Sequence, residues 1–194
     1  SLCMAVDSQT WSACDNACLA LSLQRSIRLR RSFQRNSWRT EILCIMELDS
    51  LYQEVILDHY KHPLNKGLSE NYGAQVHHVN PSCGDEITLN ISAVDGKISS
   101  ITWDGVGCSI SQASVSIASD LLVNKSFEQA ESILNEFTEL MQSKGTKDGN
   151  PDVLEDAVAL AGVSKFPARI KCALLGWMAF KDAAVRINTT IGGE

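Results

Sequence analysis

The chain has 194 residues, of which 44% are apolar, and it carries a formal net charge of −6. This length suits one globular domain with a hydrophobic core, and the apolar fraction is too high for a generally disordered chain. The negative charge argues against nucleic-acid binding, and no apolar run approaches the roughly 20 residues that span a bilayer, so we expect neither nucleic acid nor membrane as a partner.

The first 45 residues differ in composition from the rest of the chain. They contain six arginines, no lysine and three acids, a net charge of +3, whereas the remainder carries −9. This Arg- and Ser-rich, acid-poor composition resembles that of an organelle transit peptide. Because a well-formed helix start follows Met46, we instead expect residues 1–45 to be a non-native or disordered extension. Residues 46–187 are then the domain, and residues 188–194 are a tail.

The seven cysteines do not form the even, regularly spaced set that is typical of a disulfide framework. Only Cys83, Cys108 and Cys172 lie after Met46, so at least one of them could not pair within the domain. Reduced thiols in the cytoplasm fit this count better, and reduced thiols are what a metal ion requires.

An amphipathic helix is expected at the start of the domain, over residues 50–60. A capping box begins at Ser50, apolar residues recur at helical spacing, and Pro63 ends the pattern. His59 and His62 flank this end of the helix. A histidine in that position is more often a cap or a surface group than a metal ligand, and we expect the same here.

Three strands are expected to follow this helix. Apolar and polar residues alternate in the middle one, and Asp95-Gly96 is a strong signal for a two-residue hairpin turn. The pattern therefore predicts a small antiparallel meander. Its strands are expected at residues 74–80, 86–94 and 97–103.

Helices are predicted for the second half of the domain. They are expected at residues 109–123, 126–143 and 152–160, and from Pro167 onward. The first is rich in serine near its start, which we attribute to tight packing of small side chains rather than to a catalytic serine. The order of these elements is one helix, then strands, then more helices. This order predicts an α+β domain with a three-stranded antiparallel sheet and helices packed on one face.

Four polar side chains are the candidate metal ligands: Cys83, Asp85, Cys108 and Cys172. Proline and glycine mark a tight loop on which Cys83 and Asp85 can face one point. Cys108 and Cys172 stand where helices are expected to begin, and a helix N-terminus favours the thiolate form. Such ligands suit tetrahedral zinc, and thiolates also suit iron–sulfur clusters. The spacing matches no short zinc motif, however, and three buried structural cysteines are the default explanation for it.

Three segments contain these four residues. They are Asn80-Pro81-Ser82-Cys83-Gly84-Asp85, Gly107-Cys108-Ser109-Ile110-Ser111 and Arg169-Ile170-Lys171-Cys172. In this order they resemble the signature segments of the IscU/NifU-type iron–sulfur assembly proteins. The resemblance runs from Leu48, through Asp58-His59-Tyr60-Lys61-His62-Pro63, to Val185. It implies a SufE/NifU-like fold and a role in iron–sulfur cluster assembly.

Two features resemble the SufU branch of this family rather than its scaffold branch. Lys171 stands where the scaffold branch has a histidine, and Lys144–Pro151 is expected to belong to an insertion. The SufU resemblance implies a zinc-dependent sulfurtransferase that takes persulfide sulfur from a SufS-type cysteine desulfurase and supplies downstream iron–sulfur assembly proteins. Two alternatives remain open. One is a scaffold that builds a [2Fe–2S] cluster on Cys83, Cys108 and Cys172, and the other is a zinc-stabilised, non-catalytic activator of the desulfurase.

The sulfur-transfer interpretation assigns a role to each site residue. Zn²⁺ is held by Cys83, Asp85, Cys108 and Cys172. Cys83 is the sulfur acceptor, because a loop flanked by proline and glycine can move whereas helices fix the other two thiols. Arg169 lies three residues before Cys172, on the same face of the predicted helix, and is expected to pair with Asp85 or with the partner. A plain surface salt bridge is the alternative for Arg169.

Overall fold

The computed structural model describes residues 52–191, with side chains described through Ile187. The expected extension at residues 1–45 and the capping residue Ser50 lie outside the described residues. The elements are α1 (residues 52–61), β1 (Ala74–Asn80), β2 (Asp85–Val94), β3 (Lys97–Val106), α2 (Ser109–Leu121), α3 (Phe127–Gln142), α4 (Pro151–Leu154), a 3-10 helix (Glu155–Lys165) and α5 (Pro167–Ile191).

The three strands form one antiparallel sheet in the order β1-β2-β3, as predicted. Asp95 and Gly96 have φ values of 53° and 74°, and two positive φ angles are what a type I′ hairpin turn requires. In the middle of the sheet Leu89 is paired with Val76 on β1 and with Trp103 on β3, and all three are buried. One face of the sheet is therefore apolar, because successive side chains alternate between the faces.

Two helices cover this apolar face. α5 packs on β1 and β2, while α2 packs on β3. The helices also pack closely against each other, since a Cβ added at Gly176 of α5 would lie 2.7 Å from the Cβ of Val115 on α2. Phe137 of α3 completes the core by stacking on Trp177 of α5, with ring centroids 4.2 Å apart. The predicted α+β fold, with helices on one face of a three-stranded sheet, is confirmed.

Two buried serines of α2, Ser114 and Ser116, bond to neighbouring elements, whereas Ser109 at the start of the helix is exposed. Ser114 donates to the carbonyl oxygen of Ala173 at 2.6 Å and accepts from Trp177 Nε1 at 3.0 Å. Ser116 accepts the backbone N–H of Leu64 at 2.8 Å. Both serine side chains are fully buried. The close packing expected for this serine run is found at Ser114 and Ser116, whose hydroxyl groups tie α2 to α5 and to the chain that follows α1.

His59 is a buried structural group, so the expectation of a cap or surface role was wrong. Its Nδ1 lies 2.9 Å from Ser116 Oγ and its Nε2 lies 3.4 Å from Asp156. The order serine, histidine, aspartate resembles a hydrolase triad, but Ser116 has no exposed surface and its oxygen already accepts the N–H of Leu64. No substrate can reach that hydroxyl. His62 is exposed, as expected.

The helix predicted over residues 152–160 was wrong in type and extent. The chain is α-helical only over Pro151–Leu154 and continues as a 3-10 helix over Glu155–Lys165. Glu155 has a φ of +46°, which no α-helical residue adopts, so the α-helix stops there. The 3-10 segment continues past residue 160, where the predicted helix was expected to end, and includes Gly162.

α5 is longer than the sequence suggested. It continues to Ile191, beyond residue 188, where a tail was expected to begin. Neither α5 nor any other helix within residues 52–191 combines the length and the apolar character needed to cross a membrane.

Candidate metal centre

The turn between β1 and β2 places Cys83 at the surface and Asp85 in the interior. The carbonyl oxygen of Asn80 accepts the backbone N–H groups of Cys83 and Gly84 at 3.2 and 2.9 Å. Gly84 has a φ of +71°, which glycine adopts more readily than any other residue. Cys83 is exposed on this turn. Asp85 begins β2 on the buried face of the sheet and is only 1% exposed.

Cys108 is the N-cap residue of α2 and is held against Asp85. Its backbone N–H donates to Asp85 Oδ1 at 2.9 Å, and its sulfur lies 3.7 Å from Asp85 Oδ2. The same sulfur lies 3.8 Å from Ser111 Oγ. One carboxylate thus contacts both the backbone and the side chain of Cys108, and this contact joins the start of β2 to the start of α2.

Cys172 lies in the second turn of α5, further along the helix than the sequence suggested. It is 1% exposed. The favourable effect of a helix N-terminus on a thiolate is confined to the first turn, and burial acts in the opposite direction. Burial raises the pKa of the Cys172 thiol well above its ordinary value near 9.0, and hydrogen bonds to Asp85 and Cys83 raise the pKa further. The expectation that Cys172 ionises readily was therefore wrong for the metal-free protein.

The three segments converge on one point. The Sγ atoms of Cys172 and Cys83 are 3.1 Å apart, although 89 positions separate the two residues. The donor atoms of Cys83, Asp85 and Cys172 all lie within 4.8 Å of one another, and within residues 52–191 no other three His, Cys, Asp or Glu side chains form such a group. Cys108 borders this group through Asp85. Three of the four predicted ligands thus form one group, whereas Cys108 lies outside that group and touches it through Asp85.

The donor set of this site fits zinc. Cysteine sulfur and carboxylate oxygen both bind zinc, at about 2.0–2.3 Å from the ion. Asp85 is buried beside the thiols, and no ion pair to it is formed within residues 52–191. A buried carboxylate without a cation is unfavourable, because its charge is removed from water without compensation. A divalent cation would supply the positive charge that these residues lack.

The structure identifies two further residues that support the site, Asn80 and Gly107. Asn80 is 5% exposed, and its Nδ2 donates to Cys172 Sγ at 3.5 Å. Its Oδ1 accepts the backbone N–H of Ser82 at 3.2 Å, which helps to shape the turn. A Cβ at Gly107 would lie 2.8 Å from Asp85 Oδ1. Both residues belong to the signature segments, but the sequence offered no signal for these contacts beyond their position in those segments.

Arg169 does not contact Asp85. No ion pair joins the two residues in the described part of the chain, and the Arg169 guanidinium lies over the Phe166 ring, 5.6 Å from its centroid. Both residues are exposed at the start of α5. Of the roles expected for Arg169, contact with a partner therefore remains a prediction. Lys171 is also exposed, immediately before the buried Cys172.

Residues 51–173 match the family model described as the NifU-like N terminal domain. The chain belongs to this family. It is 43% identical over 139 residues to the zinc-dependent sulfurtransferase SufU of Bacillus subtilis (strain 168), covering 72% of this chain and 92% of that protein. It is 40% identical over 144 residues to the iron–sulfur cluster assembly scaffold protein IscU of Streptococcus pyogenes serotype M1, and the match covers 74% of this chain and 89% of that protein.

A solved structure from the same family has a similar fold. It is FiSufU from Fervidobacterium islandicum AW-1, assigned as an iron–sulfur cluster assembly scaffold protein for the SUF system. It is 30% identical to this NifU-like chain, with a TM-score of 0.60, and the match covers 68% of this chain and 94% of the other. The family and the fold indicated by the three signature segments are both confirmed.

Proposed function

We propose that this NifU-like protein is a zinc-dependent sulfur-transfer protein of iron–sulfur cluster assembly. In this proposal Cys83 accepts persulfide sulfur from a SufS-type cysteine desulfurase. The observation that carries the proposal is the contact of an exposed sulfur, Cys83, with a buried sulfur, Cys172, beside the buried carboxylate of Asp85. The similarity of the chain to a relative named as a zinc-dependent sulfurtransferase supports the same conclusion.

Cys83, Asp85, Cys108 and Cys172 would hold the zinc ion. When bound, zinc supplies the positive charge that keeps cysteine ligands in the thiolate form at neutral pH. Asp85 adds a fourth anionic donor from the buried end of β2. Asn80 Nδ2 donates to Cys172 Sγ and so favours the charged form of this buried sulfur.

Cys83 is the residue that carries out the sulfur transfer. Its thiolate attacks the terminal sulfur of the cysteine persulfide on the desulfurase. A new S–S bond forms on Cys83, the S–S bond of the donor breaks, and the donor cysteine leaves as a thiolate. Cys172 is too deeply buried for this attack. Cys108 is exposed, but its backbone N–H and its sulfur both contact the buried Asp85, whereas Cys83 stands on an exposed turn next to the left-handed Gly84.

Arg169 and Phe166 supply the contact with the desulfurase. Both are exposed, Phe166 immediately before α5 and Arg169 on its first turn, next to the turn that contains Cys172. An arginine over an aromatic ring forms a planar, partly apolar cationic surface, which suits an acidic or carbonyl-rich segment of a partner. Arg169→Ala is expected to weaken sulfur uptake from the desulfurase without changing the zinc content.

Incubation with a cysteine desulfurase and cysteine tests this function. We expect protein purified without air to contain zinc and to be colourless, and mass spectrometry to find the persulfide on Cys83. Ser109→Ala, on the exposed first turn of α2, is a control that changes no proposed ligand, and in it Cys83 should still be the only modified residue of the site. If Cys83→Ala takes up persulfide sulfur at the normal rate, Cys83 is not the acceptor.

Two other functions predict different results in the same experiment. A scaffold for a [2Fe–2S] cluster is favoured by the 40% identity to a relative named as an IscU scaffold protein, and it predicts a coloured, iron-containing protein. A zinc-stabilised activator predicts that the desulfurase is still stimulated by Cys83→Ala, provided that this variant retains its metal. Lys171, in place of the histidine of the scaffold branch, is the reason to prefer sulfur transfer over cluster assembly.

A further inference from the structure

The contact between Cys83 and Cys172 joins a thiol that solvent can reach to one that it cannot. Their sulfurs are 3.1 Å apart, Cys83 is exposed, and Cys172 is 1% exposed. A disulfide bond is about 2.05 Å long, so the two sulfurs need to approach by only about 1 Å to bond. Cys83 lies on a turn with the left-handed Gly84, which can supply this movement.

We propose that peroxide converts this pair into an intramolecular disulfide, and that the disulfide and a bound metal ion exclude each other. A disulfide removes two thiolate donors from the site and leaves Cys108 and Asp85, which are too few ligands for a tetrahedral zinc ion. The inference depends on the proposed function only in taking zinc as the metal. The protein thereby has a reversible oxidised state in which Cys83 can neither bind zinc nor accept sulfur.

The reaction proceeds in two steps. Their order follows from the exposure of Cys83 and the burial of Cys172. Cys83 attacks one oxygen of hydrogen peroxide, the O–O bond breaks, and Cys83 becomes a sulfenic acid while water is released. The sulfur of Cys172 then attacks the sulfenic sulfur, and the hydroxyl group leaves with the Cys172 proton as a second water molecule. Two electrons pass from the two thiols to one peroxide molecule. Cys172 reacts second because solvent oxidant cannot reach it.

Cys108 does not take the place of Cys172 in this reaction. Its sulfur lies beside Asp85 Oδ2 and Ser111 Oγ, and its backbone is fixed by the bond from its N–H to Asp85. The sulfur–sulfur contact of Cys83 is with Cys172, at 3.1 Å, and Cys108 lies outside the group that Cys83, Asp85 and Cys172 form. The geometry thus predicts one specific disulfide rather than a mixture.

Peroxide treatment of the full chain, with and without zinc, tests the inference. The metal is removed with a chelator or left in place, equimolar hydrogen peroxide is added, free thiols are alkylated, and peptides are analysed without reduction. In the zinc-free protein we expect a Cys83–Cys172 linked peptide as the main product from the site. With zinc bound this peptide should form more slowly. The oxidised protein should fail to bind zinc until a thiol reductant is added.

Two variants provide matched controls. Cys108→Ser should give the same linked peptide, whereas in Cys172→Ser the Cys83 sulfur should proceed to sulfinic acid or bond to another molecule. Sulfinic acid on Cys83 in the zinc-free wild-type protein, or a link from Cys83 to Cys108, would overturn the inference. That result would leave sulfur acceptance by Cys83 intact, because the desulfurase experiment measures the persulfide on Cys83 separately.

Discussion

Asp85 Oδ1 accepts the backbone N–H of Cys108 at 2.9 Å, and this bond connects the first residue of β2 with the N-cap of α2. The same carboxylate places its second oxygen 3.7 Å from the Cys108 sulfur. Asp85 therefore has two roles that mutation can separate. One oxygen accepts the N–H of the N-cap residue of α2, and the carboxylate also contributes a negative charge to the proposed metal site.

Asp85→Asn and Asp85→Ala should separate these two roles. Asparagine keeps an oxygen that can accept the Cys108 N–H but has no charge, so zinc affinity should fall by more than about tenfold while metal-free stability is kept. Alanine also leaves the Cys108 N–H without its acceptor. This should lower the free energy of unfolding of the metal-free protein by a further 1–3 kcal/mol, roughly.

Competition with a chromophoric chelator measures the zinc affinities, and urea unfolding of the stripped proteins measures stability. Zinc affinity of Asp85→Asn equal to that of the wild type would mean that the carboxylate is not a ligand. Equal stability of the two variants would mean that the bond to Cys108 contributes nothing to the fold.

Gly107→Ala should disturb the site without replacing a ligand. A Cβ at this position would lie 2.5 Å from Ser111 Oγ and 2.8 Å from Asp85 Oδ1, so the carboxylate must move. We expect weaker zinc binding and a loss of about 1–3 kcal/mol in stability, as for other overpacked sites. Gly162→Ala is the matched control, because a Cβ there meets no atom within 4 Å. If both variants bind zinc like the wild type, the contact with Asp85 does not position the carboxylate.

The sequence predicted the strands and the ligand segments because their signals are local. Alternating residues in β2 and the Asp95-Gly96 turn define the hairpin from neighbouring positions alone. The signature segments around Cys83, Cys108 and Cys172 were recognised from short runs of residues, and the structure brings those segments together.

The missed features depend on contacts between distant parts of the chain. His59 was expected at the surface because a helix end is usually exposed, but Ser116 and Asp156 pack against it. Cys172 was expected to ionise readily, but it lies beyond the first turn of α5 in a buried position. The donation from Asn80 to Cys172 could not be predicted, because it joins residues 92 positions apart.

The buried thiol of Cys172 should make the stability of the metal-free protein depend on pH. The folded state raises the pKa of this thiol above its ordinary value near 9.0. When the pH is above that ordinary pKa, the unfolded chain releases the thiol proton while the folded chain retains it. The folded state then binds more protons, and the free energy of unfolding falls as pH rises. This contribution is fully present below the ordinary thiol pKa and is lost at alkaline pH.

Urea unfolding of chelator-stripped protein between about pH 8 and pH 10 measures this dependence. Lysine and tyrosine groups also titrate in this range, so the comparison is made between variants. Cys172→Ser should have a flatter profile, because a serine hydroxyl does not titrate there. Cys108→Ser, which changes an exposed thiol, should keep the wild-type slope. If the free energy of unfolding of Cys172→Ser falls with pH as steeply as that of the wild type, the buried thiol is not the source of the pH dependence.

Ser114→Ala should destabilise the packing of α2 on α5 while leaving the metal ligands unchanged. Ser114 accepts from Trp177 Nε1 and donates to the carbonyl oxygen of Ala173, and alanine would leave both of these groups unsatisfied in the core. We expect a loss of about 1–3 kcal/mol in the free energy of unfolding. Ser109→Ala, on the exposed first turn of the same helix, is the matched control and should change stability by less than about 0.5 kcal/mol. Both variants should retain one zinc ion per chain, since neither serine touches a ligand sulfur. Equal unfolding midpoints for the two variants would mean that the Trp177 N–H finds another acceptor, and that the hydroxyl of Ser114 does not hold α5 in place.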